Sequence, residues 1–122
     1  MCIRDRYGSV SLAGRRWRAE WTRSGHAQER WTQAFASARL SFPLRLRGWA
    51  PGDRIRMRYG SKKLKKLFAE ARVPVGERSQ RPVLVDAHGA VLWVPGLARS
   101  ADAPEPVQEP ALFISVTETD PA

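Results

Sequence analysis

Apolar and polar positions alternate with a two-residue period in several separate stretches of this chain, the signature of half-buried strands. Within residues 7–23, Val10 and Leu12 alternate with Ser9 and Ser11, Ala13-Gly14 supplies a turn, and Trp17, Ala19 and Trp21 alternate with Arg16, Arg18 and Glu20. That pattern predicts a hairpin, followed by a loop at Ser24-Gly25-His26. Residues 31–38 fit a strand with Trp31, Gln33 and Phe35 inward, or a short helical turn; the strand is preferred, with a turn at Ser37–Arg39. Phe42, Leu44 and Leu46 then share a face, and Pro43 marks the start or edge of that strand. Pro51-Gly52 is a tight-turn dipeptide in which Pro presets φ and Gly supplies the positive φ of a type II turn. After it, Ile55, Met57 and Tyr59 alternate strictly with Arg54, Arg56 and Arg58.

The period then changes. Leu64, Leu67, Phe68 and Ala71 fall at i, i+3, i+4 and i+7, one buried stripe of a helix over about 61–72 with Ser61 as its N-cap. Val73-Pro74 ends it, since the residue before a proline disfavours the helical region, and a loop carrying Arg78 and Arg81 follows. Residues 82–86 and 90–94 are near-continuous apolar runs joined by Ala87-His88-Gly89, a hairpin whose strands are expected to be buried on both faces. Pro95-Gly96 closes this unit. Residues 101–111 read as an acidic, proline-rich linker and 112–117 as a last strand returning to the sheet. A frayed tail is expected from Glu118, with 119–122 outside the fold. The elements add up to an α+β fold: a mostly antiparallel or mixed β-sheet module with one principal short helix. We expect a single domain over 7–118 with its centre at 44–97.

With 122 residues the chain can bury one modest core, and its five Trp and 43% hydrophobic content argue for a folded domain. No apolar run is long enough to span a bilayer, and Arg4 and Arg6 are not followed by the apolar stretch of a signal peptide. A lone Cys2 allows no intrachain disulfide and suits a reducing cytoplasm. The opening MCIRDR has no periodicity and resembles translated sequencing-adapter read-through. Residues 1–6 are therefore expected to be a non-native or disordered leader outside the fold, in which case the true N-terminus is missing. Catalytic spacings are absent: there is no Cys/His or His/Asp metal pattern, no nucleophile elbow and no phosphate-binding glycine loop. His26 and His88 each neighbour a Gly and read as turn residues.

Charge changes the picture most. The net charge is +9, and residues 45–81 hold twelve Lys and Arg against Asp53, Glu70 and Glu77, while the remaining nine basic and nine acidic residues cancel. A field of that sign steers polyanions, with nucleic acid as the leading partner. Arg54, Arg56 and Arg58 on one strand face would stand roughly 6.6–6.8 Å apart and repel. Lys62, Lys63, Lys65 and Lys66 fall outside the apolar helical stripe and crowd the end of a helix that prefers anions. A solvated basic face is the plain alternative, but convergence on phosphate explains the crowding better. Arg78 and Arg81 join the set. Trp17, Trp21 and Trp93 read as core, Trp49 stays open as a base-stacking residue, and Asp53 is expected in an Asx turn or paired with Arg54.

Five motifs in order resemble the C-terminal domain of the tRNA(Ile)-lysidine synthetase family: Pro51-Gly52-Asp53-Arg54-Ile55-Arg56; Gly60-Ser61-Lys62-Lys63-Leu64-Lys65-Lys66-Leu67-Phe68; Val73-Pro74 with Arg78; Arg81-Pro82-Val83-Leu84-Val85-Asp86; and Val91-Leu92-Trp93-Val94-Pro95-Gly96-Leu97. The upstream run from Phe35 to Arg47 is similar to the segment preceding them in the family, whereas Met57-Arg58-Tyr59-Gly60 is shorter than the family's glycine-containing loop. The resemblance implies a module related to one in the β chain of phenylalanyl-tRNA synthetase. It also implies a cytoplasmic, ATP-dependent carbon–nitrogen ligase whose separate N-terminal domain adenylates the wobble cytidine of CAU-anticodon isoleucine tRNA, lysine then displacing AMP. ATP and Mg2+ would belong to that catalytic domain; its Ser-Gly-Gly-x-Asp-Ser loop is missing, and Arg23-Ser24-Gly25-His26 does not replace it. For this chain it implies a catalytically empty, tRNA-docking fragment without a cofactor of its own. Its partners would be the tRNA and the catalytic domain, a homodimer of the full protein being compatible with it. A module that merely orients a catalytic domain is the alternative.

Overall fold

A computed structural model describes residues 2–3, 7–22 and 31–119. The Ser24-Gly25-His26 loop and the last three residues of the chain lie outside the described residues. Among these, the first sheet contains β2 (Tyr7–Leu12), β3 (Arg15–Thr22), β4 (Thr32–Ala36) and β11 (Ala111–Thr119), in the order β2-β3-β11-β4. The second contains β1 (Cys2–Ile3), β5 (Leu44–Gly48), β8 (Pro82–Val85), β9 (Val91–Val94), β6 (Arg54–Met57) and β7 (Gly60–Lys63) in that spatial order, with β10 (Ala98–Arg99) beside β9. All pairings are antiparallel except the parallel contact of β6 with β9 at Ile55 and Val91. Two short helices, α1 (Leu64–Glu70) and α2 (Val75–Arg78), complete this α+β fold.

The alternation that marks the strands also builds two cores. Trp17 and Ala19 of β3 and Leu112, Ile114 and Val116 of β11 face Leu44, Leu46 and Leu84 of the second sheet across one apolar layer. The opposite face of the second sheet presents Ile55, Val83, Val85, Val91 and Val94 to Leu64, Leu67 and Phe68 of α1. The layers therefore run sheet, sheet, helix. Strand β8 serves both cores, which is why its apolar run is unbroken. A register shift between β8 and β9 at Leu84/Val85 places both Leu92 and Trp93 in the first core while Val91 and Val94 keep to the second.

The N-terminal hairpin forms as its alternation predicts. Ala13 and Gly14 both have positive φ, +48° and +89°, the requirement of a type I′ turn whose twist matches its strands. Strand β11 enters between β3 and β4, pairing Val116 with Ala19 and Leu112 with Phe35, so strands far apart in the chain share one sheet. At Pro51-Gly52 the type II geometry is present: Gly52 has φ +93°, and the Asp53 N–H donates to the Ala50 carbonyl at 3.0 Å.

Several boundaries differ from the sequence pattern. Residues 60–63 form a strand rather than the first turn of a helix over 61–72, and α1 begins at Leu64 with no side-chain cap. Ladder pairing with β6 wins over the capping tendency of Ser61: Ile55 pairs with Lys62 and Met57 with Gly60. The Leu64 N–H then donates to the Asp53 carbonyl at 3.0 Å. Strand β6 stops at Met57, so Tyr59 lies in the hairpin loop and is 73% exposed instead of inward. Phe42 precedes β5 and is also exposed, tilted against Trp21 at 6.4 Å. The loop expected after Pro74 contains α2, and β10 was not anticipated. Strand β11 extends through Glu118 and Thr119, which pair with Trp17 and Arg16 rather than fraying. The proline-rich stretch is held down where it begins, by Ala101 N–H donating to the Arg56 carbonyl at 2.8 Å and by the buried Ala103. Cys2 and Ile3, set aside with the leader, pair their backbones with Arg45 and Leu44.

Candidate nucleic-acid interface

Residues opposite one another in an antiparallel pair share a face. In the β6–β7 hairpin Arg54 lies opposite Lys63, and Arg56 opposite Ser61. Arg54, Arg56 and Lys63 therefore stand together on one face, all exposed, and Arg58 caps the tip. Like charges so arranged repel, and among the described residues little offsets them. Arg54 Nη1 donates to Ser61 Oγ at a long 3.4 Å, and Arg56 Nε reaches Asp102 at 3.7 Å between two exposed side chains, a pairing worth little in water. Lys65 and Lys66 continue the strip on the outer side of α1, opposite its buried stripe. Among the described residues, Arg58, Lys63, Lys65 and Lys66 form no ion pair within 4.0 Å.

Lys62, Arg78 and Arg81 are placed differently. Lys62 shares the inner face with Ile55 and forms an ion pair with Glu70 of α1. The hydrogen bond to Glu70 holds the lysine pKa above its ordinary value and, reciprocally, holds the Glu70 carboxyl below the usual range. Arg78 turns its Nε back to the Val73 carbonyl at 3.0 Å, tying α2 to the end of α1. Arg81, with only 14% of its side chain exposed, approaches Glu77 at 4.0 Å and covers the Trp31 ring at 5.0 Å.

That last contact belongs to a layered group the sequence pattern did not disclose. Arg15 covers Trp17 at 4.7 Å, Trp17 stacks on Trp31 at 5.2 Å, and Arg81 closes the far side. Arg15 also pairs with Glu118 at 2.7 Å and Glu77 at 3.4 Å. The members come from β3, β11, α2 and the residues just before β4 and β8, so no local motif could have announced them. Trp49, left open as a stacking residue, packs edge-on against Phe68 at 5.4 Å in the second core.

The turn that launches the basic hairpin is anchored by Asp53, whose partner is Arg47 rather than Arg54. Arg47 donates to both carboxylate oxygens, at 2.8 and 3.1 Å, and the Ala50 N–H donates at 2.7 Å. Burial pushes the Asp53 carboxyl up, but these donors outweigh it and hold the pKa below the usual carboxylate value. The bidentate clamp ties the end of β5 to the residue that enters β6, holding the turn between them in place.

Two shallow grooves flank the hairpin tip. One of about 650 Å³ is lined by Met57, Arg58, Tyr59, Arg99, Pro104 and Val107 among others. The other, about 560 Å³, is lined by Arg56, Arg58, Ser61 and Asp102. Among the described residues no group of three or more His, Cys, Asp or Glu could hold a metal ion, and no helix is long and apolar enough to cross a membrane. His88 sits exposed in the β8–β9 turn, its N–H donating to Asp86 Oδ1 at 2.8 Å.

Comparison with known proteins places this architecture. Residues 44–115 match the profile of the TilS substrate C-terminal domain. The tRNA(Ile)-lysidine synthase of Geobacillus kaustophilus is 48% identical over 66 residues, 52% of this chain but 14% of that protein. The Bacillus subtilis tRNA(Ile)-lysidine synthase is 41% identical over 64 residues, 51% of this chain and 14% of its own length. The bifunctional protein TilS/HprT of Listeria monocytogenes is 45% identical over 64 residues, 51% of this chain and 10% of its own length. The chain thus spans a small part of the curated relatives it matches. A crystal structure of a TILS C-terminal domain superposes with a TM-score of 0.72 at 31% identity, covering 93% of this chain and 92% of that one. With a profile matched over more than half of its residues and a solved domain matched over nearly its whole length, the chain belongs to the TilS substrate C-terminal domain family.

Proposed function

We propose that this chain is the tRNA-docking domain of a tRNA(Ile)-lysidine synthase. In that reading the enzyme joins lysine to the wobble cytidine of CAU-anticodon isoleucine tRNA in the cytoplasm. ATP and Mg2+ chemistry belongs to a catalytic domain outside this chain. The observation that carries the reading is the exposed basic strip of Arg54, Arg56, Arg58, Lys63, Lys65 and Lys66, poorly neutralised from within, on a chain of this family. Such cations contact phosphates, giving affinity and register with little base readout. Lys62, Arg78 and Arg81 serve mainly to hold the strip in place, through Glu70, the Val73 carbonyl and Trp31.

The test is binding of the chain to CAU-anticodon isoleucine tRNA across a salt series, with an unrelated tRNA alongside. Each phosphate neutralised adds roughly 0.7–0.9 to the slope of log affinity against log salt. A slope reporting several phosphates is expected. Absence of binding at low salt would contradict the proposal and leave a module that only orients its catalytic domain.

A further inference from the structure

The basic strip ends in a feature that phosphate contacts do not use. Tyr59, at the tip of the β6–β7 hairpin, is 73% exposed, and Val107, which lines the same groove, is 87% exposed. Brought to one groove from separate parts of the chain, the aromatic ring and the aliphatic side chain form a small open apolar patch beside the charged strip, and each would lower its free energy by leaving water. The ring is not adrift: the Tyr59 hydroxyl interacts with the Lys62 ammonium, itself tied to Glu70. The groove beside it has Met57 and Pro104 on its walls and a largely buried Arg99 at its side. Arg58 borders this groove, and Arg56 and Arg58 both border the adjoining one.

We propose that Tyr59 is a stacking platform for one unpaired RNA base, whose flanking phosphates lie on Arg56 and Arg58. An aromatic ring flanked by the guanidinium groups of Arg56 and Arg58, with the carboxylates of Glu105 and Asp102 drawn to Arg99 and Arg56 at 3.7 Å, matches the chemistry of a splayed nucleotide, which has a π-face between two anions. Arg56, Arg58 and Arg99 outnumber Asp102 and Glu105 around the two grooves, which favours an anionic occupant over a basic peptide. The inference rests on the tRNA-docking reading and adds to it a contact with a base, where the strip supplies contacts with phosphates.

The test compares two RNAs on the intact chain: a stem carrying a four-nucleotide 3′ single-stranded extension with 2-aminopurine in it, and the same stem made blunt. The wild-type chain is expected to bind the extended RNA about ten-fold more tightly than the blunt one, the scale of one stacked base, and to quench the 2-aminopurine. Tyr59→Ala should abolish the quenching and most of that preference, the remainder coming from the phosphates on Arg56 and Arg58, while leaving blunt-stem affinity and its salt slope unchanged, and Tyr59→Trp should preserve both. Tyr59 buries so little that these variants should fold, which circular dichroism checks. Equal preference and quenching in wild type and Tyr59→Ala would overturn the stacking site while leaving phosphate docking intact. Loss of all RNA binding by the wild-type chain would overturn both.

Discussion

At the scale of single residues, the Arg47–Asp53 clamp holds the turn that leads into the basic hairpin. Asp53 is 15% exposed, and its carboxylate accepts three hydrogen bonds, so Asp53→Asn removes a charge that two neighbours were built around. We expect a loss of about 1–2 kcal/mol at neutral pH, the lower part of the range for charge-assisted contacts because Arg47 is still partly hydrated, read as a shifted urea midpoint. The folded-state pKa is depressed, so the stabilisation is fully present above the unfolded carboxylate value, near ~4. It is lost as pH falls through the lower folded-state value, and the two proteins should converge in stability in acid. A constant difference at every pH would contradict the clamp. Partners of this kind are hard to read from sequence. Arg54 adjoins Asp53 along the chain, but the side chain that meets Asp53 is six residues earlier, on β5, across the Pro51-Gly52 turn. The same holds for Arg81 over Trp31 and Arg15 with Glu118, whose partners are brought close by topology rather than by spacing.

At the scale of elements, what was legible is whatever alternates with a clear period. The first hairpin, β5, the Pro51-Gly52 turn, the β8–β9 hairpin and the Leu64, Leu67 and Phe68 stripe of α1 follow directly from apolar spacing, whereas Ala71, the expected fourth member, is exposed because the helix ends at Glu70. Strand β7 was not legible, because Gly60-Ser61-Lys62-Lys63 contains no apolar residue and its conformation comes from the ladder with β6. This gives a discriminating test. A Ser that caps a helix loses about 1 kcal/mol on replacement by Ala. Ser61 caps nothing here, so Ser61→Ala should change thermal stability by less than about 0.5 kcal/mol, the usual range for a surface site. Phe68→Ala removes the ring that fills the second core against Trp49, and should destabilise by about 3–5 kcal/mol, measured by chemical denaturation. Gly96 tests the Trp ladder: its φ is +81°, and a Cβ there would lie 2.8 Å from Trp31 Nε1. Trp31 is held between Trp17 and Arg81 and cannot step aside freely, so Gly96→Ala should lower stability by roughly 1–3 kcal/mol; an unchanged denaturation midpoint would mean that the ladder yields.

At the scale of the whole molecule, the fold is closed by its last strand. Because β11 lies between β3 and β4, a chain ending at Pro110 would lose the centre of the first sheet along with Leu112, Ile114 and Val116, and should not fold cooperatively by calorimetry. No sequence period announces that order, since the pairing joins residues about a hundred positions apart. The same closure sorts the positive charge by position. Arg54, Arg56, Lys63, Lys65 and Lys66 are left outside on the hairpin and α1, while Arg78 and Arg81 are drawn into contacts that hold α2 and the Trp ladder. The most direct measurement therefore compares two charge-altered proteins for folding and for tRNA affinity at fixed salt. Reversal of Arg54, Lys63, Lys65 and Lys66 to Glu should leave the fold intact and abolish tRNA binding, whereas replacement of Arg78 and Arg81 by Met should weaken the fold and leave most of the affinity of the still-folded protein. Retained binding after the first change, with unchanged salt dependence, would contradict the assignment of tRNA docking to the hairpin–helix strip.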